Sequence, residues 1–256
     1  MSEHILFTRE RGIATLRLNR PEKKNAINLA MYAALADALA EIDRDPDVRA
    51  VMICGAGGTF TAGNDLHDFA NRPPESADAP ASRFLRALAH MQKPLVAAVD
   101  GNAVGVGVTM LLHCDFVFAS KRARLRTPFV DLGLVPEAAS TLLLPRLIGH
   151  QRAAELFLLC DWVEPAKALH YGLVSAVLEP DQLEAHALSI CERLAQKAPS
   201  AVRLTKALLR ESGYASVVER MAHEGQIFGA QLRSPEVREA IAAFFEKRPP
   251  DFSKAH

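Results

Sequence analysis

This chain carries no surplus of either charge, with 30 Lys plus Arg against 30 Asp plus Glu. A balanced chain sets up no global field for nucleic acid or an anionic membrane, so any hold on a phosphate must come from local basic residues. Long apolar runs are also missing. None approaches the length of a membrane-spanning helix, and the Met-Ser-Glu-His start has no apolar leader. The Ser-Lys-Ala-His ending is not the Ser-Lys-Leu peroxisomal address. Cysteine is sparse and unpatterned: Cys54, Cys114, Cys160 and Cys191 lack CxxC spacing and mostly sit in apolar runs. Free, buried thiols in a reducing compartment follow, and the expected location is the cytoplasm. His113, Cys114 and Asp115 are adjacent and cannot all turn to one ion, so no metal site is expected. No Ser-His-Asp pattern, internal repeat or low-complexity tract stands out.

What is present fits an ordinary globular protein, 49% apolar and 23% charged over 256 residues, enough for one large domain or a core with an appendage. Ile13 to Leu18 alternates as a strand, with Ile5 to Phe7 a hairpin partner across Arg11-Gly12. Asn28 caps a helix with apolar positions Leu29, Tyr32, Leu35, Leu39 and Ile42, which Asp45-Pro46-Asp47 stops. Val48 to Cys54, Leu95 to Val99 and Asp115 to Ala119 read as further strands, and their alternation with helices argues for an α/β core with right-handed crossovers. Asn71 to Pro80 has no periodicity and serves as a lid beside a site or as a plain surface connection. Beyond Pro180 the pattern is helical: Leu183 to Lys197, Ala201 to Arg210, Val217 to Leu232 and Pro235 to Phe245.

Two stretches carry chemical promise. Asp100 to Thr109 follows a buried strand and opens a helix at Met110 to Leu112, with Gly101, Gly105 and Gly107 permitting close approach of a ligand to the backbone. The first amides of a helix have no intrahelical acceptor and sit at the positive end of its dipole, which suits an anion or an oxygen that becomes anionic. The spacing is not GxGxxG, and Gly55 to Thr61 lacks the GK[ST] of a phosphate loop, so dinucleotide and nucleotide readings fail. Thr59 to Leu66 is a second strand–turn–helix junction, where Gly63 makes the turn and Asp65 complements the helix start. Together the two junctions supply the pair of N–H donors that an oxyanion hole needs.

The chain resembles the crotonase (enoyl-CoA hydratase/isomerase) superfamily over essentially its whole length. The resemblance rests on Leu18-Asn19-Arg20-Pro21, Phe60 to Leu66, Lys93-Pro94, Asp100-Gly101 to Gly107, Cys114-Asp115, Thr127-Pro128-Phe129, Gln151-Arg152-Ala153 and Phe244-Phe245-Glu246-Lys247-Arg248. It implies an α/β fold, a crotonase-like spiral of ββα units over 1–195, with a C-terminal helical trimerisation region over 196–256, assembled as a homotrimer or dimer of trimers. The implied substrate is an acyl-CoA thioester, so coenzyme A enters with the substrate and no resident cofactor is needed. The oxyanion-hole amides match Asn64 and Val106, with Gly105 beside them. The backbone of Ala62, Asp65 and Leu66 matches the adenine site. Lys23 or Lys24, and Lys247 from a neighbouring subunit, match basic residues at the CoA phosphates, or are solvated surface charges.

The carboxylates depart from the hydratase pattern. Hydratases of this superfamily activate water with two glutamates, and this chain has Thr109 and Phe129 at those places. Glu137, after Thr127-Pro128-Phe129, matches the single acid of the peroxisomal-type Δ3,Δ2-enoyl-CoA isomerases, which the chain resembles most. One base can take a proton at C2 and return it at C4. A helix N-terminal charge is the structural alternative for Glu137. Asp131 is a lower-ranked acid, His67 and Asp68 are expected to be exposed, and Phe129 is expected to line the substrate and keep water out. The rival functions are an enoyl-CoA hydratase, another enolate-forming reaction, and a non-catalytic CoA- or RNA-binding homologue.

Overall fold

The computed structural model describes residues 3–71, 78–211 and 214–252. Ile5–Glu10 (β1) and Ile13–Leu18 (β2) form the hairpin, turning at Arg11 and Gly12. Ala50–Gly55 (β3) and Leu95–Val99 (β4) continue the sheet in parallel, and both are buried along their whole length. Their unbroken apolar runs suit strands covered on both faces. After β4 the chain turns a corner into the short strand Asn102–Val104 (β5), then returns as Phe116–Ser120 (β6) and turns again into Arg124–Arg126 (β7). Ala176–Leu178 (β8) closes the main sheet, whose order is β1-β2-β3-β4-β6-β8.

A second layer lies beside the first. β5 pairs in parallel with β7, and single bridges extend the row, Thr61 to Ala103 on one side and Leu125 to Val163 on the other. Each of three successive turns of the chain therefore gives a long strand to the main sheet and a short extended piece to the second layer. That stacking is the spiral expected from the resemblance.

The helices are Leu29–Arg44 (α1), Leu66–Asn71 (α2), Pro80–His90 (α3), Val106–Thr109 (α4), Ser140–Ile148 (α5), His150–Ala154 (α6), Pro165–Tyr171 (α7), Pro180–Ala195 (α8), Pro199–Glu211 (α9), Tyr214–Gln231 (α10) and Pro235–Glu246 (α11). Asn28 caps α1 as expected, its side chain accepting from the Met31 amide at 2.9 Å. At the other end the buried Lys93 ammonium donates to the carbonyls of Ile42 and of the C-cap Asp45, adding to the backbone bonds that end the helix. One face of the sheet is covered by α8, whose Leu183, Ala187 and Cys191 pack on Ile13, Ala50, Met52, Val96, Ala98 and Phe118. The opposite face holds the larger core, with α1 packed on α3 through Tyr32 and Phe84, whose ring centroids lie 5.6 Å apart.

The C-terminal helices fold back on this core through polar ties. Lys206 of α9 is buried and donates to Asp115 Oδ2 and to the Lys93 carbonyl, each at 2.6 Å. Arg210 donates to the His113 carbonyl at 2.6 Å, and α11 packs against Gly133. The sequence reading differs from this architecture in its short elements and its boundaries. β5, β7, β8, α3 and α7 have no counterpart in it. The strand read from Val48 begins at Ala50, and the one read from Asp115 begins at Phe116. Most of the Asn71 to Pro80 connection lies outside the described residues.

Candidate active site

The Thr59 to Leu66 junction is built by interleaving with its neighbours. Ala62 donates to the Lys24 carbonyl at 2.9 Å, Ile27 to Gly63 O at 2.8 Å, and Asp65 to Ile27 O at 3.0 Å. In that register the residue between, Asn64, turns its own N–H away from Ile27. Gly63 makes this possible with φ +87°, since a β-carbon there would stand 2.7 Å from the Val104 carbonyl oxygen. The second junction lies immediately alongside. Val104 donates to Thr61 O at 3.0 Å, and Gly105 starts α4 after donating to Arg126 O at 2.9 Å. The turns of α4 begin with Val108 and Thr109 donating to Gly105 O, so the amides of Val106 and Gly107 precede the first intrahelical bond.

Glu137 reaches the same place from a third segment. Its backbone leads into two consecutive left-handed residues, Ala138 at φ +63° and Ala139 at φ +54°, before α5 starts. Left-handed backbone at alanine is strained and persists only where the surroundings hold it. Here the buried His113 ring sits 2.8 Å from the Ala138 carbonyl, and Ser140 donates to Glu137 O at 3.1 Å. The residue is 9% exposed. Its Oε1 accepts from the Thr109 hydroxyl at 2.5 Å, while Oε2 is buried with no protein partner. Burial pushes the Glu137 carboxyl up to about 7; the Thr109 bond opposes the shift and the charge of Glu224 adds to it. Burial likewise holds His113 down to about 4, so its ring is neutral near pH 7.

Tyr32 holds the side chain of Asn64. Its buried hydroxyl donates to Asn64 Oδ1, and the tyrosine is held far above its ordinary range first by burial and then by the charge of Glu137. Glu137 is tied through Thr109 to the helix that begins with Val106, and the Thr61 to Ala103 bridge sets the start of that helix beside the junction that carries Asn64.

The other named residues divide. Ala62, Asp65 and Leu66 flank the Asn64 amide. Asp65 is committed to structure, since Arg20 donates to its Oδ2 at 2.6 Å and its Oδ1 accepts from the His67 amide. Partial burial works against that charge, and Arg20 with the His67 amide outweighs it. Lys23 and Lys24 are exposed on the loop whose Lys24 carbonyl holds Ala62. Lys247 is exposed at the left-handed C-cap of α11. Phe129 is buried in the core, edge-on to Phe157 with ring centroids 6.4 Å apart. Asp131, the alternative acid, is an exposed partner of Arg126 at 2.8 Å. Asp68 accepts from the Leu29 amide at the start of α1. Among the described residues no group of three His, Cys, Asp or Glu could hold a metal ion, and no helix is long and apolar enough to cross a membrane.

The sequence reading missed Tyr32, taken there as a core position, the hydroxyl of Thr109, taken only as an absent acid, and Glu224. It also missed the buried Asn25, whose side chain bonds to Arg20 N, Ala56 O and Thr59 O and so joins the basic loop to the turn before Phe60. No local pattern marks these residues, because each acts on a segment distant in sequence.

Spiral layers of parallel strands, two adjacent glycine junctions and a buried acid beside them define the class of protein. Comparison with known proteins agrees. The profile of the enoyl-CoA hydratase/isomerase family matches residues 8–255. A solved enoyl-CoA hydratase/isomerase from Pseudoalteromonas atlantica superposes with a TM-score of 0.94 at 48% identity, covering 98% of this chain and all of that one. The 1,2-epoxyphenylacetyl-CoA isomerase of Escherichia coli is 34% identical over 99% of both chains. The mouse peroxisomal enoyl-CoA delta isomerase 3 is 37% identical over 82% of this chain and 68% of its own length. Relatives named as hydratases match at similar identity. The chain belongs to the enoyl-CoA hydratase/isomerase family, whose members act on acyl-CoA thioesters.

Proposed function

We propose that this enzyme moves the double bond of a 3-enoyl-CoA to give trans-2-enoyl-CoA. The observation that carries the reading is Glu137, a buried carboxyl with one oxygen bonded to Thr109 and the other without a protein partner. In this scheme the thioester oxygen accepts from the amides of Asn64 and Val106. Glu137 Oε2 takes a proton from C2, the electron pair moves into the thioester to form a dienolate, and the same proton returns at C4. No atom is gained or lost. Each amide contributes about 3 kcal/mol once charge builds on the oxygen. A carboxyl poised near 7 serves both halves of the cycle, because it can hold or release the proton at working pH.

Hydration would need a second acid to position water. Thr109 carries no carboxyl and is spent on Glu137, and Phe129 is buried against Phe157. Both observations favour isomerisation over the hydratase reading. Coenzyme A is proposed to lie with its adenine along Ala62 to Leu66 and its phosphates toward Lys23 or Lys24, with Lys247 of an adjacent subunit completing the site. The test is a steady-state comparison of 3-hexenoyl-CoA with crotonyl-CoA. Isomerisation exceeding hydration by at least about a hundredfold is expected; comparable rates would overturn the reading.

A further inference from the structure

Thr109 is the last residue of α4, is fully buried, and donates its hydroxyl to Glu137 Oε1 at 2.5 Å. A threonine inside a helix ordinarily returns its hydroxyl to a carbonyl three or four residues back. Here the Gly105 carbonyl accepts the amides of Val108 and Thr109, and the hydroxyl turns instead to a carboxyl 28 positions along the chain. Because α4 is a single turn, Val106 and Thr109 stand on one face, about 4.5 Å apart along the axis. Side chains lean toward a helix N-terminus, which carries the Thr109 hydroxyl back toward the end where the Val106 amide precedes the first intrahelical bond. The turn is held in place on two sides. The Gly105 amide donates to Arg126 O at 2.9 Å, and Gly107 lies so close to the other junction that a β-carbon would stand 2.5 Å from Thr61 Cγ2.

We propose that Thr109 is a positioning residue for the double-bond shift, through which the single turn of α4 fixes Glu137 Oε2 relative to the Val106 amide. One rigid element then sets both the atom that carries the proton and a donor to the thioester oxygen against the same substrate. Glu137 needs such a holder. The last torsion of a glutamate side chain is broad and nearly two-fold, so apolar packing alone leaves open the plane of the carboxyl and the choice of free oxygen. The Thr109 bond settles both, because Oε1 accepts it and Oε2 is left buried without a protein partner. The proton that leaves C2 and returns at C4 therefore travels on one oxygen, at a set distance from the thioester oxygen. A displacement of about 1 Å in such an arrangement costs on the order of a hundredfold in rate. The inference rests on the isomerase reading of Glu137, and it adds the residue that aims the carboxyl.

The experiment compares Thr109→Val, which keeps the shape and removes the donor, with Thr109→Ser, which keeps the donor, in the intact protein acting on 3-hexenoyl-CoA. Thr109→Val should lower kcat by roughly ten- to a hundredfold with KM changed by less than about threefold, and Thr109→Ser should restore most of the loss. In a Glu137→Gln background Thr109→Val should cost nothing further, because the two residues act as one unit. If Thr109→Val does not fold, Thr109→Ala against Thr109→Ser makes the same comparison of hydroxyl absent and present. A carbon-13 label at glutamate Cδ reads the bond without turnover. The Glu137 signal, identified by its loss in Glu137→Gln and read well above pH 7, should shift in Thr109→Val and far less in Thr109→Ser. An unmoved kcat in Thr109→Val with a lower urea midpoint would overturn the proposal and leave the hydroxyl only satisfying a buried oxygen. So would a Thr109→Ser enzyme as slow as Thr109→Val, which would assign the effect to the methyl group. Full activity of Glu137→Gln would sink the proposed reaction and this inference together, whereas an inactive Glu137→Gln beside a fully active Thr109→Val would sink the inference alone.

Discussion

At the scale of single residues, Glu137 is costly to keep. Its folded value of about 7 lies above the ordinary carboxyl value of 4.5. The unfolded chain therefore releases this proton first as pH rises, and the folded state loses stability from about pH 4.5 until the group is fully ionised above 7. The full loss is ~3 kcal/mol on the scale of that shift. His113 works in the opposite sense. Burial lowers it to about 4 from 6.5, so its contribution is intact above 6.5 and is lost as pH falls toward 4. Replacing Glu137 by glutamine is accordingly expected to stabilise the protein by up to ~3 kcal/mol at pH 8 and by almost nothing at pH 4. Urea unfolding at the two pH values measures this. A gain of equal size at both would show that shape and not charge is responsible. Glu137 was picked out in the sequence through the chain's resemblance to the isomerases, as the acid that follows Thr127-Pro128-Phe129. Its apolar neighbours Val135, Pro136, Ala138 and Ala139 already pointed to a desolvated carboxyl, whereas the Thr109 bond was not legible because it forms only through tertiary packing.

Among the elements, the two junctions carry the account. Their existence was readable, because a glycine turn between an apolar strand and a helix leaves a local signature. Their adjacency was not, because it depends on Thr61 bridging Ala103 across the second layer, in pieces too short to show periodicity. The glycines at the junctions offer a contrast. Gly63 has φ +87° and a β-carbon position 2.7 Å from Val104 O, while Gly105 has φ +56° with nothing within 4 Å. Gly63→Ala is expected to cost at least ~2 kcal/mol and to lower kcat more than it raises KM, by displacing the Asn64 amide. Gly105→Ala should cost only ~1 kcal/mol, from backbone conformation alone. Equal losses in both would reject close approach as the reason for Gly63. The tie between α9 and the core gives a second expectation. Lys206→Met leaves Asp115 without its ammonium partner at 2.6 Å and should destabilise by ~3 kcal/mol, read from the urea midpoint; a change under ~0.5 kcal/mol would contradict a structural role for the pair.

For the whole molecule, the α/β class and the late helical region were legible from the alternation before Pro180 and its loss afterwards. The surface of that region bears on assembly. Leu204 and Leu208 of α9 are 64% and 68% exposed, and Phe244 and Phe245 of α11 are 58% and 54% exposed. Side chains of this size on a single chain are what a subunit interface would cover, and they support the trimer or dimer of trimers proposed from the resemblance. Sedimentation is expected to give one of those states, and Lys247→Ala to raise KM with little change in kcat, because its phosphate contact would be ground-state binding. A stable, fully active monomer would contradict both.

The most direct test of the central claim remains the turnover of Glu137→Gln on 3-hexenoyl-CoA, with acyl-CoA affinity measured in parallel. A lone carboxyl that carries the proton both ways predicts a loss of roughly a thousandfold or more in kcat with affinity preserved. Activity within tenfold of the parent would contradict it.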